Sequence, residues 1–109
     1  MANQLEGRRD GETVWVVFPS VDVGPAGKTK VNAWVHEATV FSARHGLVQL
    51  GRDSTPRAVH IWCETVHDTS QAAWQRAAEV VRRAGMELLA KAAEFEGTAT
   101  AVAAREGAA

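Results

Sequence analysis

A chain of 109 residues with 46% hydrophobic content is long enough for one modest core and too short for two. Its 12 basic and 13 acidic side chains leave a net charge of −1, so bulk charge alone demands neither a nucleic-acid nor a membrane partner. One cysteine, Cys63, excludes an internal disulfide and fits a reducing compartment.

The start, MANQLEGRRDGE, lacks the apolar stretch of a secretory signal. No apolar run approaches the roughly 18 residues of a membrane span. The expectation is a cytoplasmic protein. Residues 1–11 are polar, contain two glycines, and read as a flexible arm.

TVWVVF (13–18) is β-branched and aromatic, the composition of an interior strand. Residues 20–28 hold Gly24, Pro25 and Gly27 and read as a turn. TKVNAWVHEATVFS (29–42) is strand-like throughout, as one long bent strand or two short ones. ARHG (43–46) reads as a hairpin turn, with Gly46 free to take positive φ. LVQLG (47–51) returns, and RAVHIWCETV (57–66) reads as the last strand.

The period then changes. Asp68 or Thr69 is placed to cap a helix that runs from Ser70 to about Glu96 and stops at Gly97. Trp74, Val81, Leu88 and Phe95 recur every seven residues, with Ala78, Gly85 and Ala92 between them. This seam is expected to seat the helix on the sheet, with Leu88 as a core residue. Glu79–Arg83, Arg83–Glu87 and Glu87–Lys91 are spaced for i,i+4 ion pairs. The Ala-rich tail, 98–109, reads as frayed or as a short helical extension.

Consecutive strands with short links imply an antiparallel sheet. The expected class is α+β: four to five antiparallel strands, then one long C-terminal helix packed on one face. The domain is 12–97, between the arm (1–11) and the tail (98–109).

Gly27-Lys28-Thr29 looks like the end of a phosphate-binding loop. The first glycine of that motif would stand at Asp22, and a β-branched run follows where the motif needs a helix N-terminus. Nucleotide hydrolysis is therefore rejected. His60, Cys63, Glu64 and His67 invite a zinc reading, yet strand alternation puts Cys63 on the face opposite His60 and Glu64. Ser42, His45 and Asp53 form no nucleophile elbow. No metal, cofactor or catalytic residue is expected, and the chain reads as a non-enzyme.

The constellation that remains is a tryptophan face. In the first strand Val14, Val16 and Phe18 oppose Trp15 and Val17. In the second, Val31, Ala33 and Val35 oppose Asn32, Trp34 and His36. In the last, Val59, Ile61 and Cys63 oppose His60, Trp62 and Glu64. If the aliphatic faces align in one core, Trp15, Trp34 and Trp62 line the other side together with His36, His60 and Glu64. One helix covers one side of a sheet. Unless the arm, the tail or a curl of the sheet closes it, the tryptophan side is left as a binding surface.

The expected function is a small, non-enzymatic protein-interaction module: a regulator, inhibitor or structural subunit, binding a protein partner or itself as a homo-oligomer. The alternative is single-stranded nucleic acid or a small flat ligand stacked on the same tryptophans, with Lys28, Lys30, Arg44, Arg52 and Arg57 toward phosphates. In topology alone, a run of strands closed by one helix resembles the whirly-type transcription cofactors that bind single strands.

Overall fold

The computed structural model describes residues 3–59 and 65–108. Its strands are β1 (Thr13–Val23), β2 (Thr29–Ser42), β3 (Leu47–Gln49), β4 (Arg57–Ala58) and β5 (Thr65–His67), followed by the helix α1 (Ser70–Ala108). The sheet order is β4-β3-β2-β1-β5, with every neighbouring pair antiparallel. The class is α+β, as the change of period at residue 69 implies.

β1 and β2 form a long hairpin whose register runs from Thr13 opposite Thr39 to Val23 opposite Thr29. β2 is one strand that bends by a bulge: Val40 pairs with Val48, and the next pairing is Ser42 with Leu47. Gly46 turns the chain there with φ 66°. The hairpin tip closes through a 3-10 turn at Pro25–Gly27, and Lys28 leads straight into β2. The run that follows Gly27-Lys28 is a strand, as its β-branched composition implies.

RAVHIWCETV is not one strand. Arg57–Ala58 pairs with β3 at one edge of the sheet, while Thr65–His67 pairs with β1 at the other. The alternation of 57–66 suits a strand locally, but each edge offers pairing to only one end of it. Residues 60–64 lie outside the described residues.

Antiparallel partners point to the same side of a sheet. Val14, Val16 and Phe18 therefore share a face with Ala38, His36 and Trp34, while Trp15 and Val17 share the other with Glu37 and Val35. The core accordingly has two parts. On the first face Leu5, Val14, Val16, Ala38, Val40, Val48 and Val59 are buried together. On the second Val17 meets Ala73 and Ala77 of α1, with Trp15, Ala33 and Val35 packed around them.

Within the expected arm, residues 3–11 lie against the rest of the chain. Leu5 is fully buried on the first face. Asn3 Nδ2 donates to the Ala43 carbonyl at 2.6 Å, Asp10 Oδ1 accepts from the Ala43 N–H at 2.8 Å, and Arg8 meets Asp68 at 2.5 Å. The polar composition hid one apolar residue that the sheet needs.

Thr69 caps α1, its hydroxyl accepting from the Ala72 N–H at 3.1 Å. The residues that meet the sheet are Ala73 and Ala77, flanked by partly buried Val80 and Ala84. Their small side chains let the helix axis come close. The expected seam is rotated away, and Trp74 and Leu88 are 52% and 41% exposed. The helix also continues through Gly97 to Ala108 instead of ending at 96. At 1.5 Å per residue it is about 58 Å long. The radius of gyration, 20.1 Å, exceeds the roughly 13 Å of a compact chain of this size because the C-terminal end of α1 runs on beyond the hairpin.

Candidate interaction surfaces

Trp15 is half-buried between the sheet and α1, whereas Trp34 lies on the opposite, arm-covered face. The two tryptophans therefore do not share a surface. The register explains the difference. A five-residue tip, 24–28, sets Val23 opposite Thr29, and this brings Val17 rather than Val16 beside Val35. Both faces of β1 are apolar, so its alternation could not choose between the two phases. His60, Trp62 and Glu64, with Ile61 and Cys63, lie outside the described residues.

What the register does bring together is smaller. Trp34 and His36 stack with ring centroids 5.4 Å apart and planes 25° apart. His36 Nδ1 lies 2.7 Å from the Glu37 carbonyl, and Phe18, 46% exposed, is the cross-strand neighbour of Trp34. This aromatic group sits on the tip half of the hairpin, beyond the buried cluster around Leu5. Lys28 and Lys30 are exposed at the same tip.

Ser42 and His45 meet, but as a turn. The Ser42 hydroxyl lies 2.8 Å from His45 Nδ1 and 3.3 Å from the His45 N–H, closing the chain around Gly46. Among the described residues no group of three or more His, Cys, Asp or Glu is placed to hold a metal ion. Among the same residues no helix is long and apolar enough to cross a membrane.

A second apolar surface is on α1. Trp74, Leu88 and Phe95 are exposed, Phe95 to 65%, and all three belong to the seven-residue seam. Because the helix runs on, the seam gains Ala99 and Val102. The signal for these two residues was present in the sequence: Ala99 stands seven after Ala92, and Val102 seven after Phe95. Reading Gly97 as a stop cut it off, yet an isolated helix glycine costs only about 1 kcal/mol. Leu89, beside the seam, is 74% exposed.

Near its start the seam borders a groove of about 390 Å³ formed with the sheet, lined by Val31, Ala33, Trp74, Ala77, Ala78 and Val81. The ion pairs on α1 are Arg76–Glu79 at 3.4 Å and Lys91–Glu94 at 3.1 Å, rather than the expected i,i+4 set. Arg82 and Glu96 make no ion pair among the described residues.

No protein-family model, curated protein or solved structure matches the chain.

Proposed function

We propose that this chain is a non-enzymatic interaction module, a regulator, inhibitor or structural subunit that joins protein chains through the exposed seam of α1. One observation carries the reading. A 39-residue helix buries only Ala73 and Ala77 against its own sheet, and Trp74, Leu88 and Phe95 stay exposed in one line along it. An exposed apolar stripe along a helix is the kind of surface that associates with another chain. The tryptophan face anticipated from alternation contributes less, since Trp15 faces α1.

Hydrogen exchange combined with mass in solution tests the reading. The hairpin reaches Glu94 through Val21 and Val23, and the helix end beyond it, 95–108, should gain protection only when the chain is associated. A monomer whose 95–108 amides are strongly protected would show that the chain covers its own seam, and the proposal would fail.

A second reading has a smaller basis. The Trp34–His36 stack with Phe18 offers exposed rings on which an unpaired base could stack, with Lys28 and Lys30 nearby. Titration with a labelled single-stranded oligonucleotide at rising salt separates the two. Binding that is salt-dependent and lost in Trp34→Ala supports the second reading, and its absence removes it.

A further inference from the structure

We infer that the seam of α1 closes on the seam of a second copy of this chain, with the two helices antiparallel and the two-fold axis passing beside Leu89 and Ala90. The inference rests on the interaction reading above and names its partner.

The first argument is size. Trp74, Val81, Leu88, Phe95 and Val102 are large, and Ala78, Gly85, Ala92 and Ala99 stand between them as small residues. Two antiparallel copies centred at Leu89–Ala90 set Leu88 against the partner's Ala92 and Phe95 against the partner's Gly85. Val81 then meets the partner's Ala99, and Val102 the partner's Ala78. Each of these layers holds one large and one small side chain. A parallel, in-register pair sets Phe95 on its own copy and Gly85 on its own copy, alternating crowding with voids. Interiors pack at near-crystalline density, so both defects count against it.

The second argument is Gly85. A glycine inside a helix is unfavourable, and a Cβ at this position would meet nothing within 4 Å. The chain itself supplies no reason for the residue, whereas the ring of the partner's Phe95 does. Gly97 is equally open but points away from the seam, and the pairing leaves it unexplained.

Charge agrees. In this arrangement Arg82 faces the partner's Glu96, and symmetry repeats the pair. Neither side chain has an ion-pair partner among the described residues. Leu89 meets the partner's Leu89 at the axis. Lys91 approaches the partner's Lys91, the one unfavourable contact, and each is already held by Glu94 of its own chain.

Shape agrees as well. The buried helix–sheet contact of each chain is at Ala73 and Ala77, so antiparallel pairing sets the bodies of the two sheets at opposite ends, with Val21 and Val23 of each hairpin tip beside the axis. Each helix end then lies along the partner's groove, where Ala99 and Val102 approach the partner's Val31, Ala33 and Trp74. The overlap, from 74 to 106, is about 50 Å long at 1.5 Å per residue. A helix pair of that length is on the scale of the roughly 800 Å² per partner of a stable interface.

Cross-linking and mass test this on the full chain with Cys63→Ser. Light scattering should show a concentration-dependent dimer. Ala78→Cys and Val102→Cys should each stay unlinked alone under mild oxidation and link when mixed. Phe95→Ala should weaken the dimer about thirtyfold. Gly85→Ala should weaken it about tenfold or more by crowding Phe95, while the diluted monomer keeps or gains helix content. Linking of Ala78→Cys with itself would mean parallel helices and overturn the inference, leaving the interaction module intact. A wild type that is monomeric at its highest soluble concentration would also overturn it. In that monomer, unprotected 95–108 amides would spare the interaction reading, and protected ones would remove both.

Discussion

The near and far halves of α1 are built from similar residues and do different things. From Ser70 to about Ala84 the helix lies on β1 and β2 through Ala73 and Ala77, and the large side chain of Trp74 looks outward. From Leu89 onward nearly every residue is exposed, large apolar ones included. Intrachain stability therefore gathers where the helix is small-sided, at the sheet and its N-terminal latch. The large apolar side chains are left exposed, where the proposed association would use them. Mutations placed on either side of this division should separate the two properties.

The largest expected loss is at the latch. Leu5→Ala should lower the unfolding free energy by about 2–5 kcal/mol in urea melts, because Leu5 is fully buried among Val14, Val16 and Val40. A loss under about 0.5 kcal/mol, the range of an ordinary surface change, would restore the free arm.

Ala77→Leu comes next. It forces extra volume into the tightest helix–sheet contact and should cost about 1–3 kcal/mol, whereas Ala78→Leu, one residue round the helix, should leave the monomer's stability nearly unchanged. Equal effects at both positions would mean that the helix is rotated from the orientation described.

Gly46→Ala should cost about 1–2 kcal/mol in the same melts. Its φ of 66° strains any L side chain, and the new Cβ would meet Asn3 Oδ1 at 3.1 Å. A neutral result would show that the turn after β2 relaxes without disturbing the latch.

The smallest effect is expected at Leu88. At 41% exposed, its truncation to Ala should change the diluted monomer's stability by less than about 1 kcal/mol, well below the roughly 2–5 kcal/mol of a buried leucine. A loss within that buried range would return Leu88 to the core and erase the distinction between the two halves.

The order of elements is legible in the sequence because β-branched alternation gives way to a helical period at a capping threonine. Gly46 is legible as well, since a short hairpin turn needs a residue of positive φ. The orientation of the helix is not. Ala73, Ala77, Val80 and Ala84 carry the same seven-residue spacing as the larger seam, and size does not reveal which line faces the sheet. A close-packed contact favours the small line. The separation of Trp15 from Trp34 is hidden for a related reason. Either phase of β1 buries valines, so the choice passes to the length of the tip. Leu5 is the hardest to foresee, because one apolar residue in a polar segment carries no period. For β4 and β5, the local alternation gives no sign that the two pair at opposite edges of the sheet.

The five-residue hairpin tip constrains how this protein can change length. Val23 stands opposite Thr29 across residues 24–28, and that spacing alone decides which side chains of β1 and β2 look toward α1. Inserting or deleting one residue there would turn one strand over relative to the other, sending Trp34 toward the helix and Val35 toward Leu5. Two residues would only lengthen or shorten the ribbon. Among descendants of this chain, viable length variation at the tip should come in even steps, with odd steps surviving only where a new bulge absorbs the extra residue.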